Sequence, residues 1–194
     1  MRKLAHPRSS MLNPRRERRM AETGLTSDLH LFHRNIIVYC GRPHANEYEM
    51  NDDIVRAWNS VVADDDRVIM VGDLSAGVMG RYDELRALIG RLRGRKTMIR
   101  GNHDHQTDAW YKSAGFAEVH DWLIIGDKLF IHKPATSMSP DVISLIEQVR
   151  PQLVVHGHIH DDRPNIPGHF NVAWDRHKRL IKMSEIDTLG AHVV

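Results

Sequence analysis

Apolar residues along the 194-residue chain fall into two rhythms, short runs of four to six and longer stretches at helical spacing. Residues 21–26 predict a first strand. A loop with His33 and Asn35 follows, then the apolar run Ile36-Ile37-Val38-Tyr39. Within residues 49–62, Met50, Ile54, Trp58 and Val61 recur on one helical face, which makes Trp58 a core residue. Residues 67–71 predict a β-branched strand. Residues 81–93 predict an amphipathic helix with Leu85, Leu88, Ile89 and Leu92 inward, stopped by Gly94. A strand over 95–99 and a short helix over 107–114 come next. Residues 122–126 and 128–132 read as a hairpin turning at Gly126-Asp127. A helix over 140–149 carries Pro140 in its first turn. A strand over 152–155 and two closing strands, 170–174 and 180–183, complete the chain. The length suits one domain with a real core.

The polar residues just past the strands carry the chemistry. Asp28 and His30 follow the first strand and, on an extended backbone, would face one side. The bland alternative is a helix cap at Ser27 or Asp28. Gly72-Asp73 follows the second strand. Gly101-Asn102-His103-Asp104 follows the third; there Gly101 eases a turn, Asn102 offers an amide oxygen, His103 can carry a proton near neutral pH, and Asp104 can orient that imidazole. By itself this stretch could equally be a polar turn with an Asx cap. His132 closes the hairpin, and His158 and His160 follow the strand at 152–155. Asp64-Asp65-Asp66 reads as a solvated turn.

Composition narrows the field. No apolar run approaches the ~18 residues of a membrane span. The one cysteine, Cys40, excludes an internal disulfide framework and fits a reducing, cytoplasmic compartment. Of 27 basic and 25 acidic side chains, seven and one lie in residues 1–20, leaving 20 and 24 for the rest. The basic character therefore belongs to a tail expected to be disordered, with the domain at 21–194. A nucleic-acid-binding arm is the functional alternative for that tail. The fourteen histidines are the outlier. Imidazole, carboxylate and amide ligands without a thiolate exclude a finger-type zinc site and suit Mn, Fe or Zn.

Asp28-x-His30, Gly72-Asp73, Gly101-Asn102-His103-Asp104, His132 and Gly157-His158-x-His160, in that order, resemble the calcineurin-like metallophosphoesterase superfamily from about residue 24 to 187. Thr26-Ser27-Asp28-Leu29-His30, Asn35-Ile36-Ile37, Arg42-Pro43 and the closing stretch from Asn171-Val172 to Ile186 resemble its small single-domain bacterial and phage members more narrowly. The resemblance implies a four-layer α/β/β/α sandwich of two mixed sheets. It implies two divalent ions, manganese first, with iron, zinc or nickel as alternatives. Asp28, His30 and His160 would hold one, Asn102, His132 and His158 the other, and Asp73 would bridge them. His103, with Asp104, would serve catalysis without being a ligand. Many members carry an arginine soon after Gly-Asp; here none precedes Arg81, which leaves Arg42, Lys133 and Arg100, in that order, to contact phosphate beside Asn102. His33 would lie near the site. The implied reaction is hydrolysis of a small phosphodiester or phosphomonoester by in-line attack of a metal-bridging hydroxide. A catalytically idle scaffold of the same fold, a nuclease using the basic tail, and a histidine-rich amidohydrolase barrel are the rivals. The barrel needs ~250 residues.

Overall fold

The structure, a computed structural model, describes residues 20–134, 140–163 and 165–187. Strands β1 (Thr23–Thr26), β2 (Arg67–Val71), β3 (Arg95–Ile99) and β4 (Phe116–His120) pair in parallel. In a second sheet, β5 (Trp122–Ile125) runs antiparallel to β6 (Lys128–Ile131), and β7 (Leu153–His156) and β8 (His169–Asn171) continue in parallel. A short antiparallel β9 (Ile181–Lys182) pairs with β1, so the sheets read β4-β3-β2-β1-β9 and β5-β6-β7-β8.

Side-chain alternation divides the apolar residues into layers. Leu25, Ile69, Val71 and Ile99 of the first sheet meet Phe130, Leu153 and Val155 of the second. On the other face of β2 and β3, Val68, Met70 and Met98 pack against Met50, Ile54 and Trp58 of α2 (Glu47–Val61) and Leu85, Leu88 and Ile89 of α3 (Tyr82–Gly90). Leu129, Ile131 and Val154 face Val142 and Ile146 of α5 (Pro140–Val149). The result is the expected four-layer α/β/β/α sandwich. Short helices α1 (Arg34–Tyr39), α4 (Asp108–Ser113), α6 (Trp174–His177) and α7 (Met183–Asp187) complete it.

Several elements depart from the expected pattern. The run 36–39 is helix α1, with Ile36 buried but Val38 and Tyr39 exposed, so it has no helical face to read. Helix α2 starts two residues early because the Asn46 side chain accepts from the Tyr48 and Glu49 N–H groups. Edge strand β4 leaves Ala117 and Glu118 exposed and so lacks an apolar run. Trp174 and Met183 begin helices instead of ending strands. Asp66 is buried, not solvated, and accepts 2.8 Å hydrogen bonds from the Glu22 and Ala63 N–H groups. Apart from Met20, the basic tail lies outside the described residues, among which no helix is long and apolar enough to cross a membrane.

Trp58 is 1% exposed and its Nε1–H donates to the Arg93 carbonyl. Trp58→Ala is expected to lower the unfolding free energy by about 3–5 kcal/mol, read from urea denaturation.

Candidate metal centre

Strands β1, β2 and β3 are parallel neighbours, so the residues past their carboxyl ends emerge side by side. Those residues are Asp28, Asp73, Asn102 and His103. Strands β6 and β7 deliver His132, His158 and His160 from the other sheet to the same edge. Backbone bonds fasten the edge: Asp28 N–H to the Gly72 carbonyl (2.9 Å), Gly157 N–H to that of His132 (3.0 Å), and Trp174 N–H to that of Ser27 (3.0 Å).

Convergence depends on backbone geometry that spacing does not show. Asp28, His30, Asp73 and His158 have φ of +57°, +50°, +55° and +68°. Asp28 and His30 therefore meet through two left-handed residues, not through an extended strand. Such residues each cost about 1–3 kcal/mol and persist where the surroundings enforce them. Gly101 is needed for close approach: a Cβ there would strike the Asp73 carboxylate, and one on Gly157 would strike Ser27 and Asp28.

Ligand-type atoms of Asp28, His30 and His160 lie within 4.8 Å of one another, as do those of Asp73, His132 and His158. Asp73 faces both groups, its Oδ2 being 3.7 Å from His30 Nε2 and 3.2 Å from His132 Nε2. Its Oδ1 accepts from the His103 N–H (2.9 Å). Asp28 Oδ2 accepts from Ser27 Oγ–H (2.5 Å) and His158 N–H (2.9 Å). Asp28 Oδ1, His30 Nε2 and His132 Nε2 are buried with no hydrogen-bond partner. An unsatisfied buried polar group costs about 1–3 kcal/mol, and three in one place, all lone-pair donors, fit a cation.

The electrostatics of Asp73, Asp28 and His30 agree, whereas His160 holds a proton that an ion would displace. Burial works to raise the Asp73 carboxyl, but His132 and the His103 amide hold it well below the usual carboxylate range. Asp28 is likewise lowered: burial is overcome by His160 and His132. Burial pushes His30 down to about 3, so it is neutral and keeps a lone pair. For His160 burial is outweighed by Asp175 and Asp28, which push it up to about 9.

Asp175 went unnoticed in the sequence. Buried past β8, it bonds His160 Nδ1 through Oδ2 (2.7 Å), leaving Nε2 3.4 Å from Asp28 Oδ1. Fixing the second ring nitrogen in this way is how ligand histidines are oriented. The one signal was an acidic residue closing the apolar stretch Val172-Ala173-Trp174. Cys40 Sγ lies 3.5 Å from His160 Nδ1, but burial pushes the thiol up to about 11 and keeps its proton on.

Two expected roles are corrected. Arg42 is not a phosphate contact: it is 5% exposed, forks onto both Asp175 oxygens at 2.7 Å, and donates to the Asp28 and Leu29 carbonyls. Asp104 does not orient the His103 ring. It is buried and accepts from the N–H groups of Asp73 (2.6 Å), Leu74 (3.1 Å) and Gly101 (2.8 Å) and from Tyr111 Oη–H (3.3 Å).

Among the other predicted residues, His103 is exposed, its Nε2 3.9 Å from Asp73 Oδ2. Asn102 is exposed in the same turn. Arg100 is paired with Asp108 and Asp121. Arg81 lies over Phe32 and Tyr48 and pairs with Glu84, so it does not replace the missing arginine. Lys133, half-buried beside His132, has no ion pair among the described residues. The His33 ring stands 5.4 Å from that of His30.

The sequence model of the calcineurin-like phosphoesterase superfamily domain matches residues 22–172, and the chain belongs to that superfamily. Over 85 residues it is 44% identical to an uncharacterized protein of Methanocaldococcus jannaschii, covering 44% of this chain and 48% of that one. Over 86 residues it is 38% identical to the gene 66 protein of mycobacterium phage L5, covering 44% and 41%. The matched stretch thus spans about half or less of these curated relatives. The fold resembles that of a protein of unknown function from Aquifex aeolicus, with a TM-score of 0.71 and 25% identity over 88% of this chain and 100% of that one.

Removing one partner of the buried Arg42–Asp175 pair leaves an uncompensated charge, so Arg42→Ala is expected to cost about 3–5 kcal/mol in a denaturation experiment. The pH dependence has a definite sign. Burial opposes the charge on Asp175, yet His160 and Arg42 hold it far below its ordinary 3.8. The pair therefore stabilises above pH 3.8, and that part is lost as pH falls below it. The stability difference between wild type and Arg42→Ala should shrink as pH falls through this acid range.

Proposed function

We propose that this protein is a dinuclear-metal-dependent phosphoesterase acting on small phosphodiesters or phosphomonoesters. The observation that supports this most is the pair of ligand groups, with bare buried lone pairs on Asp28, His30 and His132, and with Asp73 3.7 Å from His30 and 3.2 Å from His132. In this reading Asp28, His30 and His160 hold one ion, and Asn102, His132 and His158 the other. Manganese is the first choice, with iron, zinc or nickel as alternatives, since imidazole, carboxylate and amide donors accept all of them. When bound, such a pair supplies charge to the phosphate oxygens and an activated water.

The side chains divide the remaining work. His103 stands at the exposed edge of the centre, 3.9 Å from Asp73, where it protonates the leaving oxygen. Asp104 holds the amides of Asp73, Leu74 and Gly101 and so fixes the bridging carboxylate from behind. Lys133, next to His132, takes a phosphate oxygen in place of Arg42. A cytoplasmic, metal-replete setting goes with this reading.

The test is hydrolysis of bis-p-nitrophenyl phosphate and p-nitrophenyl phosphate by stripped protein, with Mn²⁺, Ni²⁺, Zn²⁺ or Mg²⁺ added back. Asp73→Asn is expected to lose both metal and turnover. His103→Ala is expected to keep two ions per chain while kcat on poor leaving groups drops by about 10²–10⁴. Absence of turnover with every ion would overturn the reading, and a His103→Ala protein as metal-poor as Asp73→Asn would overturn the division of roles.

A further inference from the structure

A cleft of about 130 Å³ opens beside His103, with no second-sheet histidine in its lining. Its walls come from the two loops that carry the centre. The loop after β2, which carries Asp73, contributes Val78 and Met79 and leads to Tyr82 of α3. The segment after β3, which carries Asn102 and His103, contributes Gln106 and leads to Trp110 of α4. The cleft therefore borders the centre through His103, which lines it.

Aromatic and apolar side chains share its lining with Ser75, His103, His105 and Gln106. No Asp, Glu, Lys or Arg lines it. Tyr82 and Trp110 meet edge to face, ring centroids 5.9 Å apart and planes at 72°, and both rings remain half-buried. Met79 is 87% exposed at the rim, an apolar side chain with no packing role there. Arg86 lies over the Trp110 ring, 5.8 Å from its centroid. The floor is firm, because Tyr111 bonds to Asp104, which in turn holds the Asp73 amide. The size matches one aromatic ring, since a cavity of ~150 Å³ takes up benzene.

We infer that this cleft is the leaving-group subsite and that it selects phosphate esters whose departing alcohol carries a single neutral planar ring. The inference rests on the phosphoesterase reading and names its substrate class. In the step it serves, water oxygen bonds to phosphorus and gives up a proton to solvent, the bond from phosphorus to the ester oxygen breaks, and that oxygen takes the His103 proton, which solvent then restores. The ring attached to the leaving oxygen lies between Met79 and Trp110 as this occurs. Gln106 offers the one amide able to read a polar edge on the ring.

Dibenzyl and dimethyl phosphate test this, because their leaving alcohols are similar in basicity and differ in the ring. With the Mn²⁺-loaded protein, kcat/KM for the dibenzyl ester is expected to exceed that for the dimethyl ester by roughly tenfold or more. Met79→Ser, at an exposed position that does not threaten folding, should lower that ratio, and Trp110→Ala should bring it toward one. A ratio near one in wild type, or one that both variants leave unchanged while bis-p-nitrophenyl phosphate is still turned over, overturns the subsite and spares the phosphoesterase reading. If no ester is hydrolysed, the phosphoesterase reading is what fails. Calorimetry with benzylphosphonate and methylphosphonate then decides the subsite, and equal affinities overturn it.

Discussion

Two carboxylates buried at the ends of neighbouring parallel strands are the constraint to which this structure answers. Asp28 is fully buried and Asp73 nearly so, and both are held in the charged form. Buried negative charge is costly unless each oxygen finds a donor or a cation. The fold supplies donors from every direction: the His103 and His158 amides, the Ser27 hydroxyl, and imidazoles from both sheets. One Asp28 oxygen is still left over. The sandwich can be understood as the arrangement that lets two sheets bring compensation to one edge, leaving bare lone pairs on Asp28, His30 and His132 that fit a cation.

Around that edge runs a closed circuit of charge. Arg42 grips Asp175, Asp175 grips His160, and His160 points its other nitrogen at Asp28, whose carbonyl returns to Arg42. Each member removes rotameric freedom from the next, which is how ligands are held ready for an ion. On the opposite side Asp104 does the same for Asp73 through backbone amides alone. These two anchors have different chemistry, one an ion pair and the other a set of amide bonds, and they fix the two central carboxylates independently.

What the residues revealed in advance, and what they concealed, follows from locality. The central strands were legible because buried β-branched runs at 67–71 and 153–155 are local signals. Edge strand β4 and helix α1 were not, since their apolar and polar positions do not alternate with depth. The grouping of Asp28 with His30 was anticipated from an extended backbone, whereas left-handed geometry brings them together. The destinations of Arg42 and Asp104 could not be read. A charged side chain near a site can face the ligand or brace the wall behind it, and the choice depends on partners such as Asp175 and the Leu74 amide, which lie 133 and 30 residues away.

The way β1 is flanked bears on how this chain matures on the ribosome. Ser27 pairs with Ala173, Leu25 with Ile181, and His160 leans on Asp175. A nascent chain with β1 to β7 already outside the exit tunnel still lacks the strand beside Asp28 and the anchor for His160. Closing that gap joins segments more than 140 residues apart, a slow kind of contact. Assembly of the candidate metal centre therefore belongs to the late steps of folding, and a chain cut short before Ala173 keeps the strand-end motifs without the segments that brace them.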